Sequence, residues 1–230
     1  MKFKFFALIL ILGLTTISSC DKLQQKDRIK EGFIEYNIEY LNNDTLDSFM
    51  IGLLPKKMII KFKDNNTLNK IEGFSGIVSF IHIQNYKERK NTTLVKVLNK
   101  KYKYEEKIND SSIFFEELPG MKIELQDEVK KICGFESQKA KIILPDTSIK
   151  PFYIYFTHDI SINNVNSQTP FKSIEGVLME FQVKFYDLNM KLTATKVQET
   201  DISSDHFKVP EGYQKINRKT MVEIIELLKQ

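Results

Sequence analysis

The sequence has no tryptophan, only two cysteines and three histidines, and few glycines or prolines. Two cysteines leave no room for a disulfide framework, and the scattered glycines and prolines mark no linker between domains and no low-complexity segment. Lysine and arginine form no long block, so neither nucleic acid nor an anionic surface is indicated as a partner. Aromatic residues are plentiful, with 17 Phe and 9 Tyr in a chain that is 42% hydrophobic. These numbers predict one domain with a sizeable core.

The first twenty residues have the pattern of a bacterial export signal. Lys2 and Lys4 precede an apolar run over residues 5–14, and small residues stand just before Cys20. The run is shorter than the about 20 apolar residues that a membrane-spanning helix needs. The pattern resembles a lipoprotein signal, in which the cysteine thiol receives lipid and the peptide is cut before it. The alternative is an ordinary secretory signal that happens to contain a cysteine.

This signal defines the expected organisation of the chain. We expect residues 1–19 to be a lipoprotein signal peptide, residues 20–30 to be a lipidated Cys20 with a flexible tether, and residues 31–230 to be a single β domain. Acyl chains on Cys20 would make release from a bilayer negligible. The sequence therefore predicts a lipid-anchored protein of the cell envelope, with the periplasmic face of the outer membrane as the favoured location.

Apolar and polar residues alternate along most of the chain, as in half-buried β-strands. The stretches GFIEYNIEYL, KKMIIKFK, PFYIYF and IEGVLMEFQVKF show this most clearly. About ten strands are predicted, and their connections are too short for parallel crossovers, so the sheet should be antiparallel. A sheet of that size curls or closes. The apolar side of each strand should therefore face the inside of a curved sheet.

Ten apolar side chains would line that interior if it holds a ligand. They are Met58, Ile60, Phe62, Phe152, Ile154, Phe156, Val177, Met179, Phe181 and Val183. Whether side chains or a ligand fill the interior is left open by the pattern alone.

Helical signals are weak. A short helix that could act as a lid is predicted between Asp110 or Ser111 and Pro119-Gly120. Near the C-terminus, Thr220 and Glu223 have capping-box spacing and precede an apolar stretch, which predicts a short final helix.

No catalytic or metal-binding motif is recognisable. His82, His158 and His206 are isolated from one another in the sequence, whereas a zinc site needs several converging ligands. The stretch GFSGI has Ile77 where a nucleophile elbow requires glycine. Cys133, with Cys20 committed to lipid, is expected to be a buried small residue. We therefore expect no enzyme activity, no metal and no cofactor.

The second half of the chain resembles a known family. The segments KKICGFESQKAKI, YIYFTHDI, IEGVLMEF, MKLTATKV and FKVPEGYQKI, within residues 129–216, resemble uncharacterised Gram-negative lipoproteins of the GLPGLI-like type. The namesake motif corresponds to residues 174–178, with Glu175 where a proline would be expected.

These proteins in turn are similar to the LolA, LolB and LppX class. That resemblance implies a mainly β fold with short helices (α+β), in which a curved, unclosed antiparallel sheet forms a half-barrel under a helical lid. It implies an apolar concavity that binds lipid or lipoprotein acyl chains. Our first hypothesis is a membrane-anchored envelope lipoprotein that binds a hydrophobic ligand. The alternative is a non-catalytic structural or protein-interaction module with an envelope protein as partner, and an enzyme comes third.

Overall fold

The computed structural model describes residues 28–41, 52, 54–73, 76–108, 110, 113–185 and 188–227. Its twelve strands are β1 (Glu31–Leu41), β2 (Lys57–Lys63), β3 (Asn66–Gly73), β4 (Val78–Asn85), β5 (Lys90–Val97), β6 (Lys100–Lys107), β7 (Lys122–Ile132), β8 (Phe135–Ile143), β9 (Phe152–Thr157), β10 (Val177–Phe185), β11 (Leu188–Glu199) and β12 (Gln214–Lys215). The helix α1 (Arg218–Leu227) follows β12. The protein is mainly β, as predicted, with two strands more than expected.

All twelve strands belong to one unclosed sheet, in the order β12-β6-β5-β4-β3-β2-β1-β11-β10-β9-β8-β7. The first six strands run outward to one edge, and the next five return from the opposite edge, so β1 and β11 pair in the centre. Ten of the eleven pairs described are antiparallel. The prediction of a purely antiparallel sheet is therefore wrong at one pair, in which the short strand β12 lies parallel to β6.

The alternating pattern produces the predicted burial. Ile34, Tyr36 and Ile38 of β1 are buried, while the residues between them are more exposed. In β10, the side chains of residues 177, 179, 181 and 183 are all buried. The sequence pattern therefore identified the core-facing side of these strands correctly.

Residues with a left-handed backbone conformation form the turns of two tight hairpins. Asp64 and Asn65 join β2 to β3 with φ angles of 50° and 63°, and Cys133 and Gly134 join β7 to β8 with φ angles of 52° and 86°. Two consecutive positive φ angles are typical of the two-residue turns that match strand twist. Strand β7 itself has an irregular register with β8 between Leu125 and Val129.

The sheet is strongly curved. Strands β4 and β10 are five positions apart, about 24 Å in a flat sheet at about 4.8 Å per strand. Nevertheless the rings of Phe80 and Phe185 on these strands have centroids only 5.7 Å apart. At the other side, the Cys133 thiol donates to the Ala194 carbonyl oxygen over 3.3 Å, although three strand positions separate their strands. Both sides of the sheet therefore curl over a common concave face.

Cys133 is half-buried, not buried as predicted. It occupies a hairpin turn whose side chain reaches the margin of the core, and this partial burial raises the pKa of its thiol.

Irregular segments cover the concave face. The chain crosses from β6, which lies next to the edge strand β12, to β7 at the opposite edge, and the described residues 108, 110 and 113–121 belong to that crossing. The Glu116 amide donates to the Lys184 carbonyl, and Phe115 forms an isolated bridge to Phe185. The helix predicted at this point is wrong for the described residues 113–120, which form bends and a turn. Contacts with β10 override the local helix signal.

The convex face is covered in part as well. After β11 the chain passes behind β3 to β5, where Ile202 and Phe207 pack on Ile83 and Leu94. Residues 91–95 of β5 are consequently buried on both faces.

The C-terminal helix exists, but it begins earlier than predicted. The Asn217 side-chain oxygen accepts a hydrogen bond from the Thr220 amide over 2.9 Å, so Asn217 is the cap and Thr220 lies inside the helix. Met221 and Ile225 are buried on the concave face against Val95 of β5.

Candidate functional site

The ten predicted lining residues come together in the structure. All belong to one core cluster, or pack against it, under the centre and one side of the curved sheet. Nine are buried, and Phe152 is half-buried. Phe181 makes an edge-on contact with Tyr36, with ring centroids 5.9 Å apart. These side chains pack against one another, and their role in holding a ligand stays a prediction.

The crossing segment places Phe114 on the other side of the concave face, in the cluster that also contains Met221 and Ile225. It stacks on Phe185 at 6.3 Å and meets Phe80 edge-on at 6.1 Å. His82 of β4 is a further edge-on neighbour at 6.3 Å. An irregular connection thus supplies the group that fills the space between β4 and β10.

Three rows of side chains cross the concave face from β3 to β6. The first, apolar row contains Ile71, Phe80, Val95 and Tyr102. The middle row contains Asn69, His82, Thr93 and Tyr104. The third, which we call the polar row, contains Thr67, Gln84, Asn91 and Glu106. The concave face therefore changes from apolar to polar along the strands.

All four side chains of the polar row are buried, with 8% exposure or less. The covering segments bind three of them. The Gln84 amide donates to Ser167 Oγ over 3.2 Å, the Asn91 amide donates to the Ile108 carbonyl over 3.3 Å, and the Arg218 guanidinium of α1 donates to Glu106 Oε2 over 3.1 Å. Polar groups in a protein interior normally require such partners.

Glu106 is a buried carboxylate beside an open surface hollow. The hollow has a volume of about 600 Å³, and both Glu106 and Asp110 contribute to its wall. Burial, more than any other cause, raises the pKa of the Glu106 carboxyl, the charge of Asp110 raises it further, and Arg218 opposes the shift. A second open hollow of about 690 Å³ lies next to α1, and Arg218 contributes to its wall.

His82 is the buried histidine of the middle row. Its Nδ1 atom lies 3.3 Å from Thr93 Oγ1, and its Nε2 atom has no hydrogen-bond partner in the part of the chain that the structure describes. Burial lowers the pKa of this imidazole to about 4. The ring is therefore neutral at physiological pH.

The three histidines lie in different places. His158 is exposed next to Phe156, and His206 is exposed with the Lys61 ammonium 3.1 Å from its ring. Within the described ranges, no three His, Cys, Asp or Glu side chains are grouped as metal ligands would be.

The motif that carries the family resemblance has a structural role. An added Cβ on Gly176, whose φ is 156°, would lie 2.9 Å from both the Phe156 ring and the Thr157 carbonyl oxygen. The Asn166 amide donates to the carbonyls of Ile174 and Gly176, at 2.8 Å each. Glycine is required here because β10 starts in close contact with β9.

Residues 1–27 lie outside the described residues, and with them the predicted signal peptide, Cys20 and most of the tether. No helix among the residues described here combines the length and the apolar character needed to cross a membrane.

The polar row was not predicted from the sequence. Each strand from β3 to β6 contributes one member, at a position that faces the core. The signal that could have found the row is a polar residue at a core-facing position, in register with another on the neighbouring strand. That register depends on which strands pair, which the alternation alone does not reveal.

No protein-family model matches the chain, and no curated protein matches it significantly. Among solved structures, PNGF-II is similar over 84% of this chain, with 13% identity and a TM-score of 0.49. This chain spans only 32% of the length of PNGF-II. LprF from Mycobacterium bovis is similar over 79% of this chain and 90% of its own, with 10% identity and a TM-score of 0.31. Similarity at this level supports no statement about function, and the relation to GLPGLI-like proteins stays a prediction.

Proposed function

We propose that the protein is a membrane-anchored lipoprotein of the cell envelope that holds a hydrophobic ligand, such as a lipid acyl chain, against the concave face of its sheet. It does so without catalysing a reaction. Lipid on Cys20 provides the anchor, and the outer membrane facing the periplasm is the favoured location.

One observation supports this proposal above the others. Phe114 lies between Phe80 of β4 and Phe185 of β10, and it belongs to an irregular connection and not to the sheet. Connections open at lower free energy than paired strands, because fewer backbone hydrogen bonds and buried contacts hold them. An acyl chain that displaces this ring would find Phe80 and Phe185 on either side of it. The cluster around Phe181 stays packed during the exchange.

Ligand binding by a Phe114→Ala variant tests the proposal. The chain without residues 1–20 is titrated with a fluorescent fatty acid, and lipids extracted from the purified protein are identified by mass spectrometry. We expect the variant to bind severalfold more tightly than the wild type, because the acyl chain no longer competes with the ring.

Phe33→Ala is the matched control. Phe33 lies on the convex side of β1, with the Lys196 ammonium 5.1 Å from its ring centroid. This variant should bind like the wild type. If neither the wild type nor Phe114→Ala binds the fatty acid or carries lipid, the ligand-holding function is wrong.

The packed state of the main core favours a second candidate, a non-catalytic interaction module. Such a module would use its outer surface, and Leu125 and Val129 of the edge strand β7 are 60% and 54% exposed. An envelope protein that pairs with this edge would cover both side chains. Absence of lipid from every variant, with normal stability, would leave this alternative in place.

A further inference from the structure

Three oxygen atoms near the polar row are buried without a hydrogen-bond partner in the described part of the chain. They are Asn91 Oδ1, Glu106 Oε1 and Gln168 Oε1. Their residues are 0%, 8% and 6% exposed. A buried acceptor that makes no hydrogen bond loses the full free energy of its hydration, so three together require an explanation.

These three side chains belong to one small region. Asn91 and Glu106 are direct cross-strand partners on β5 and β6. The Asn91 amide donates to the carbonyl of Ile108, and the Gln168 amide donates to the carbonyl of Asp110 over 3.4 Å, two residues further along the same segment. The crossing segment therefore brings Gln168 next to the strand pair.

All three unpartnered atoms are hydrogen-bond acceptors. Each amide nitrogen donates to one backbone carbonyl, whereas the amide oxygens of Asn91 and Gln168 accept no hydrogen bond from the described residues. Glu106 uses Oε2 for Arg218 and leaves Oε1 as an acceptor. A single ligand group that satisfies all three oxygens must donate three hydrogen bonds.

Three kinds of ligand can be compared. A hydroxyl group donates one hydrogen bond and brings lone pairs that need donors of their own. A calcium ion takes six to eight oxygens, and Arg218 already occupies one oxygen of Glu106. A primary ammonium group has three N–H donors, no lone pair and a charge opposite to that of the carboxylate. The ammonium group matches the three acceptors best.

We propose that Asn91, Glu106 and Gln168 bind the primary ammonium group of a small amine or of an amine-bearing lipid headgroup. Of the three residues, Glu106 lies in the wall of the open hollow that Asp110 also lines, so an amine would approach from that side. The proposal does not rest on acyl-chain binding, since the soluble amine is tested alone.

Thermal unfolding of the full-length protein in a maltoside detergent tests the site. Ethanolamine is compared with ethylene glycol, which replaces the amine by a hydroxyl, and with calcium chloride, all at constant ionic strength. A ligand that binds the folded state raises the melting temperature in proportion to ln(1 + [L]/Kd). We expect ethanolamine to raise it and ethylene glycol to have no effect.

Two neighbouring glutamates provide the matched pair of variants. Glu106→Gln removes the charge at the site and should weaken ethanolamine binding at least tenfold. Glu105→Gln makes the same change at the next residue, whose carboxylate is 2.8 Å from the Lys215 ammonium, and should bind like the wild type. Gln168→Met leaves the Glu106–Arg218 pair intact, and it should weaken binding severalfold even if Glu106→Gln does not fold.

Short-chain phosphatidylethanolamine, with phosphatidylcholine as a control without N–H donors, separates the two sources of the ammonium group. Binding of ethanolamine supports a free amine, and binding of phosphatidylethanolamine alone supports a lipid headgroup. The proposal is overturned if calcium alone binds, if ethylene glycol binds as well as ethanolamine, if neither amine binds, or if Glu105→Gln weakens binding as much as Glu106→Gln.

Discussion

Lowering the pH should destabilise this protein through His82. The imidazole has a pKa of about 4 in the folded state, because it is buried between β3, β5 and the Phe114 ring, against an ordinary value of 6.5. Between these two values the unfolded chain binds a proton that the folded chain does not. The free energy of unfolding must therefore fall as the pH falls from about 6.5 to about 4.

The size of the effect follows from the two pKa values. A difference of about 2.5 pKa units corresponds to about 3 kcal/mol once the pH is below 4, at about 1.4 kcal/mol per unit. At pH 5 the unfolded histidine is almost fully protonated and the folded one is not, so about 2 kcal/mol of the effect is already present. Losses of this size are a large part of the stability of a typical domain.

Urea unfolding at pH 7 and pH 5, followed by circular dichroism, measures the effect in the wild type and in His82→Gln. Carboxyl groups also titrate in this range, and the raised pKa of Glu106 acts in the opposite direction. The quantity of interest is therefore the difference between the two proteins. We expect His82→Gln to lose about 2 kcal/mol less than the wild type between pH 7 and pH 5.

His158→Gln is the control for this experiment. It removes an exposed imidazole, and this variant should follow the wild type at both pH values. If His82→Gln and the wild type lose the same stability on acidification, His82 is not a buried neutral group and the argument is refuted.

Three further predictions concern the core, the C-terminal helix and the anchor. Phe181→Ala should lower the free energy of unfolding, measured with urea, by about 3–5 kcal/mol, because the ring packs on Tyr36 in a filled core. A loss under about 1 kcal/mol would mean that the ring borders open space. Asn217→Ala should remove the helix cap and about 1 kcal/mol in the same assay, and it should destabilise more than Thr220→Ala. Cys20→Ser should abolish incorporation of a labelled fatty acid, and continued labelling would contradict the lipoprotein signal.

Much of the sheet could be predicted from local pattern. Alternation in β1 and β10 identified Ile34, Tyr36 and Phe181 as core-facing, because successive side chains of a strand point to opposite faces. Asp64 and Asn65 form the turn between β2 and β3, and both are residue types that tolerate the positive φ angles found there. The helix predicted after Asp110 was wrong, because contacts between this segment and the distant strand β10 outweigh its weak local preference for helix.

The amino-acid sequence by itself determined the period of the strands, the existence of a final helix and the expectation of an exported, lipid-bearing chain. Each of these depends on residues close together along the backbone. Only the tertiary structure decided that β1 pairs with β11, that the sheet curls until Phe80 meets Phe185, and that Asn91, Glu106 and Gln168 share one buried region. Such contacts join segments far apart in the chain, and they form because burying the whole concave face outweighs the entropy of closing long loops.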